Sequence, residues 1–178
     1  MPSHASHFSI SLSHRGFSHD WELLGVSGTV AIKGSIDTLK KLSSPLPSET
    51  KACVQLFSSA GIGGWEHISW GAYASLLAQQ SKGMHFQKME LEWMGRLAGT
   101  FQLEEASRRV GVKEGAQEVV LVRLAPKDKE NKKRLAATIK AISLHEKKVE
   151  FGKTIPLPKT WSRSAEEFAI ERSALTGV

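Results

Sequence analysis

Glu66-His67 stands just after the glycine run Gly61-Ile-Gly-Gly64, and it is the first place in the sequence where chemistry could occur. An imidazole moves protons near neutral pH, and a carboxylate can orient it. Adjacent residues on a helix do not face one another, however, so the pairing favours a structural or contact role for His67. Backbone N–H groups of a glycine turn that opens a helix attract phosphate. Here no Gly-Lys-Ser/Thr follows and the dinucleotide pattern is incomplete, so a tight strand-to-helix turn is the expectation. His4, His7, His14 and His19 lack a spacing that would put two ligands on one helical face, and no metal site is expected. The single cysteine, Cys53, has no internal bridge partner and reads as core. GxSxG, HExxH and Cys-His signatures are all missing, so nothing demands an enzyme or a cofactor.

Tryptophans offer a different chemistry, stacking on nucleic-acid bases. Trp93 lies on the apolar stripe Met89-Trp93-Met94-Leu97 and reads as core, whereas Trp65, between Gly64 and Glu66, is the better exposed candidate. Charge points the same way. Residues 1–80 hold five Lys/Arg and five acids, so the whole +6 excess lies in residues 81–178, densest in Lys127-Asp-Lys-Glu-Asn-Lys-Lys-Arg134. That asymmetry suits a polyanionic partner. Acids are mixed into the run, and the solvated start of a surface helix is the competing reading.

These side chains need a scaffold, and the 178 residues suffice for one domain, 1–178, without disulfides or metal. The start of the chain has no apolar core of signal-peptide length, and no run reaches membrane-span length. A soluble, cytoplasmic protein in a reducing compartment is expected. Period-two alternation over His7–His14 predicts a strand with Phe8, Ile10 and Leu12 inward. Further strands are expected over Ser27–Lys33, Ala52–Phe57 and, as a central strand, Glu118–Arg123. Helices are expected after Ser35, carrying Ile36, Leu39 and Leu42, and over Glu66–Gln80 and Lys88–Ala98. A short one carries Leu103, Ala106 and Val110 and ends at a left-handed Gly111; the last two cover 128–144, with Leu135, Ile139 and Ile142 inward, and about Ser162–Leu175. Ser43-Ser-Pro-Leu-Pro-Ser48 is an ordinary connection. The fold class is α+β, a mixed single domain with a small sheet packed by helices.

In this order Val54-Gln-Leu-Phe57, Gly64-Trp-Glu-His-Ile68, Leu91-Glu-Trp-Met94, Leu97-Ala-Gly99, Gln102-Leu-Glu-Glu-Ala106, Val110-Gly-Val-Lys-Glu-Gly115 and Glu118-Val-Val-Leu-Val122 resemble the small regulatory subunit of the KEOPS complex, the PRPK-binding protein family, in its archaeal type. Ile170-Glu-Arg-Ser-Ala-Leu175 resembles that family's C-terminal helix. The resemblance implies a largely antiparallel sheet with packed helices and a non-catalytic subunit. Such a subunit docks on the kinase-like ATPase of KEOPS and binds the single-stranded CCA end of tRNA to support threonylcarbamoyladenosine formation. Many archaeal-type members carry Arg-Gln-Ile where this chain has Phe101-Gln102-Leu103, so a guanidinium is missing; Phe101 as a base-stacking ring and Phe101 as core are both open.

On that reading the partner face comprises Ile170, Ala174 and Leu175, which could equally close the chain's own core. The RNA face comprises Lys82, His85, Lys88, Arg96 and Gln102 around the Gly83 and Gly99 turns, against the alternative of plain surface solvation. Two rivals stand beside it: a protein–protein scaffold without RNA contact, and a small enzyme using His67 and Glu66 on RNA or a nucleotide.

Overall fold

The computed structural model describes residues 6–32, 52–158 and 164–175. The expected helix after Ser35, the Ser43–Ser48 connection and Trp161 lie outside the described residues. Among the described residues five strands, β1 (His7–Leu12), β2 (Trp21–Ile32), β3 (Cys53–Ser58), β4 (Gly115–Pro126) and β5 (His145–Glu146), accompany five α-helices. These are α1 (Trp65–Gln80), α2 (Met89–Ala98), α3 (Leu103–Val110), α4 (Asn131–Ala141) and α5 (Ala165–Leu175). The fold is α+β, its sheet ordered β1-β2-β4-β3 with β5 paired to β2. The pairings of β2 with β1, β4 and β5 are all antiparallel. Two compact units emerge, one built from the chain up to Leu56 with Val112–Val149, the other from Phe57–Gly111 with the chain from Glu150 onward.

In the sheet unit, β2 and β4 run antiparallel over their full lengths, from Trp21 opposite Pro126 to Ile32 opposite Gly115. The unbroken apolar run of β4 fits this interior position: Val119 through Ala125 are all buried. Strand β2 begins six residues earlier than the sequence suggested, because both of its faces are covered and Leu23, Leu24 and Val26 show no alternation. Gly28 is where β5 crosses; a Cβ there would stand 2.4 Å from the His145 carbonyl oxygen. One apolar cluster joins Leu24, Val26 and Val30 of β2, Val54 and Leu56 of β3, and Val119 and Leu121 of β4 to Leu135 of α4 and Leu144. Ile139 and Ile142 pack against it half-buried, as their spacing predicts.

The alternation in β1 is only partly obeyed. Leu12 is buried and Phe8 half-buried, but Ile10 is 38% exposed; among the described residues β1 is an edge strand, paired only with β2. Beneath the start of α4, Asn131 is buried and makes three side-chain hydrogen bonds. Its Oδ1 accepts from Arg123 Nε at 3.2 Å, and its Nδ2 donates to Glu22 Oε2 at 3.2 Å and to the Pro126 carbonyl at 2.9 Å. One amide thus joins β2, β4 and α4.

In the helical unit Phe57, Ile62, Ile68, Ala72, Leu76, Trp93, Leu97, Ala106, Val110 and Ala169 are buried. Phe57 meets Trp93 edge-on at 5.5 Å between centroids, and Trp93 Nε1 donates to the Ile68 carbonyl at 3.2 Å, which satisfies the one polar atom of that ring. Cys53, in the sheet unit, is buried, as expected. Three expectations need correction here. Trp65 is buried rather than exposed, packed edge-on against Phe151 at 5.6 Å. Leu103 is 44% exposed, because the eight residues of α3 form little more than two turns and only Ala106 and Val110 turn inward. Gly111 is extended (φ −71°) rather than left-handed; a side chain there would stand 2.4 Å from the Ser107 carbonyl oxygen, so close approach accounts for the glycine. No helix among the described residues is long and apolar enough to cross a membrane.

Asn131→Ala removes three buried hydrogen bonds and is expected to cost about 1–3 kcal/mol, read as a lower urea midpoint with an unchanged slope.

Candidate functional site

Lysines, aromatic rings and a buried ion pair meet where the loop between α1 and α2 returns to α2. Helix α1 ends in a left-handed residue, and that residue is Lys82 (φ 57°), not the following Gly83. The Gly83 N–H then closes on the Ala78 carbonyl at 2.8 Å. The chain continues through His85 and Phe86, whose backbone N–H groups both donate to Glu92 Oε2, at 2.8 and 3.2 Å. Glu92 is fully buried. Its other oxygen accepts from Arg96 one turn on, Nε at 3.0 Å and Nη2 at 2.7 Å. One carboxylate therefore pins the loop to the helix and neutralises a guanidinium that is itself buried.

Above this pair the rings are ordered. His85 stacks on Phe101 with centroids 3.6 Å apart and planes 11° from parallel, Phe86 is tilted against Phe101 at 6.0 Å, and the Arg96 guanidinium carbon lies 5.6 Å from the Phe101 centroid. Helix α2 brings these groups together through its ending: Gly99 is left-handed (φ 66°), and the Thr100 N–H closes on the Gly95 carbonyl at 3.0 Å, turning the chain so that Phe101 lies back over Gly95. A Cβ on Gly95 would meet the Phe101 ring at 2.8 Å. Phe101 covers one face of His85, whose Nδ1 lies 3.6 Å from Glu92 Oε1, and the His85 side chain is still 49% exposed.

Lys82, Lys88 and Gln102 are exposed on the segments that frame the stack. Arg96 differs from the other residues expected on this face. Its charge is directed to Glu92 and its side chain is 8% exposed, so it is no surface cation; it supports the ring stack from within. Glu92 and Phe86 were not singled out from sequence, although the Glu92–Arg96 i, i+4 spacing was a readable signal.

A second polar cluster fixes α5. Ser164 and Glu167 form a reciprocal capping box: the Ser164 N–H donates to Glu167 Oε2 at 2.9 Å, and the Glu167 N–H to Ser164 Oγ at 3.2 Å. Glu166 Oε1 accepts from the Glu66 N–H at 3.0 Å, at the N-terminus of α1. Burial pushes the Glu166 carboxyl above its ordinary range, against the hydrogen bonds from Glu66 and His67 that pull it down. His67 is buried, and its Nδ1 accepts from the Gly63 N–H at 3.1 Å, so the ring proton is on Nε2, which donates to Ser173 Oγ at 2.9 Å; that hydroxyl donates to the Ala169 carbonyl at 2.7 Å. Burial, with the Arg172 charge nearby, lowers the His67 pKa to about 3. Glu66 is exposed, while both ring nitrogens of the buried His67 are engaged by Gly63 and Ser173. The inward face of α5 is thus Ala169 and Ser173, leaving Ile170 half-buried, Ala174 exposed and Leu175 76% exposed. Among the described residues no group of three or more His, Cys, Asp or Glu could hold a metal ion.

Two outcomes test these clusters. Glu92→Ala leaves Arg96 buried without its carboxylate and is expected to cost about 3–5 kcal/mol, with Glu92→Gln milder. Because the folded-state pKa of His67 lies below the ordinary 6.5, the unfolded chain binds the extra proton first, and stability is lost as pH falls from about 6.5 toward 3. In urea titrations over that range His67→Gln is expected to show a shallower decline than the unaltered chain.

No curated protein matches the chain. A family model described as kinase binding protein CGI-121 matches residues 34–160, a stretch that includes β3, β4, β5 and α1 to α4 and stops short of α5. With well over half of its 178 residues inside that match, the chain whose loops assemble the His85–Phe101 stack belongs to the CGI-121 family of kinase-binding proteins.

Proposed function

We propose that this chain is the non-catalytic, kinase-binding subunit of a KEOPS-type tRNA-modification complex, and that it holds the single-stranded CCA end of tRNA while the complex forms threonylcarbamoyladenosine. The observation that carries the RNA half is the stack of a half-exposed His85 on Phe101, framed by exposed Lys82, Lys88 and Gln102. Single-stranded RNA is bound by stacking unpaired bases on such rings while cations meet the phosphates. His85 offers the ring face, Lys82 and Lys88 the charges, and Gln102 a donor and acceptor for a base edge or sugar. Arg96 is a positioning residue in this scheme, holding Phe101 behind His85.

For the kinase-like partner, the family's kinase binding is the support. The docking residues are Ile170, Ala174 and Leu175 of α5, a helix held in place through Ser173 and Glu166. A helix already held in place loses little conformational freedom on docking. The engagement of both His67 ring nitrogens by Gly63 and Ser173 argues against the rival enzyme.

Binding of labelled tRNA with and without its CCA end, across a salt series, tests the RNA half. Trimming is expected to lower affinity at least tenfold, with a log–log salt slope of about −0.7 per phosphate neutralised. Equal binding to both RNAs would contradict end recognition and leave the protein–protein scaffold. Leu175→Asp is expected to weaken capture of the kinase-like partner while leaving RNA affinity unchanged.

A further inference from the structure

The basic run Lys127–Arg134 is not used by the site described above, and the structure resolves what it builds. Helix α4 has one face against the sheet, with Asn131 and Leu135 buried and Ile139 and Ile142 half-buried. Its other face is Lys132, Lys133, Ala136, Ala137, Lys140 and Ala141, all exposed: lysines and alanines only. These positions recur at i, i+1, i+4, i+5, i+8 and i+9, the pattern of one continuous helical face.

Of the acids that punctuate the run, only Glu130 pairs with a lysine of this face, Lys133. Asp128 pairs with Arg134 at 3.2 Å and Glu130 with Lys133 at 3.4 Å, while on the neighbouring strands Glu118 pairs with Lys147 at 3.0 Å and Glu146 with His7 at 2.5 Å. Lys132 and Lys140 have no ion pair among the described residues. Between residues 127 and 148 there are eight Lys/Arg against three Asp/Glu, nearly the whole charge excess of the chain. Acids stand at the start of α4, with Glu130 at the N-cap, but not within its first turn. The first turn of α4 holds Lys132, Lys133 and Arg134 with no acid, and cations there oppose the helix dipole, whereas α1, α2, α3 and α5 all begin with glutamates.

We propose that the outer face of α4 is a contact surface for the phosphate backbone of double-stranded RNA. Charge complementarity selects a polyanion. The face has no aromatic ring on which an unpaired base could stack, which separates it from a single-strand site. It also has no large apolar, aromatic or arginine side chain to anchor a protein interface, and the apolar side of α4 is already used in the core, so none is left to enter a lipid surface. Alanines between the lysines let a rigid backbone approach closely, and Lys132 to Lys140 span about 12 Å along the helix axis. The proposal concerns α4 alone and does not depend on recognition of an RNA end.

The test uses the full chain and a blunt RNA duplex of about 16 base pairs, with no single-stranded end, titrated from low to physiological salt. The expected result is salt-dependent binding that K132A/K133A/K140A weakens at least tenfold, reducing the log–log salt slope by about two to three, with thermal unfolding unchanged. K82A/K88A is expected to leave duplex binding intact, which distinguishes this surface from the proposed end-binding site. Absence of duplex binding at low salt, equal affinity of the triple variant, or equally tight binding of polyglutamate, as an acidic protein partner would require, would each overturn it.

Discussion

The buried carboxylate of Glu92 is the constraint on which the candidate RNA surface depends. A carboxylate removed from water must be matched by donors, and this one has four: two backbone N–H groups from the loop before α2 and two guanidinium nitrogens of Arg96. Matching the charge fixes the loop that carries His85. Arg96, neutralised by Glu92, is held within reach of the Phe101 ring, and the ring stack follows. The exposed cations around it are then free to act as charges, since the buried pair already supplies the order.

Helix α5 is fixed by a different means, a neutral imidazole. Protonated His67 would lose its acceptor at Nδ1 and would leave the Gly63 N–H opposed to a second donor, so the buried ring is useful only as the Nε2–H tautomer. The lowered pKa keeps it so throughout the physiological range. A histidine next to a glutamate looks like catalytic machinery in one dimension and proves to be a bolt between α1 and α5 in three.

Legibility in sequence followed the locality of the cause. The β4 run, the helices over Trp65–Gln80 and Met89–Ala98 and the burial of Cys53 and Trp93 depend on neighbours three or four residues away or on composition alone, and these could be read. Trp65 could not be placed, because Phe151, far along the chain, covers it. The exposure of Ile10 depends on β1 lying at the edge of the described sheet, which alternation does not encode. Of the candidate site, the exposure of Lys82, His85, Lys88 and Gln102 was legible from their polar types, but the His85–Phe101 stack was not, since it arises from a left-handed turn at Gly99 and a loop held by Glu92. The Glu92–Arg96 pair was present as an i, i+4 spacing and shows that an arginine on a helix is a candidate ligand for phosphate only after its acidic neighbours have been considered.

The central claim is that a half-exposed aromatic stack backed by a buried ion pair receives an unpaired base. Its most direct test is an NMR titration of the full chain with a short single-stranded RNA ending in CCA, following the His85 and Phe101 ring protons. Upfield shifts of His85 that saturate with RNA and vanish in His85→Ala are the predicted result. Shifts confined to residues away from the stack, with both rings unmoved at saturating RNA, would contradict it.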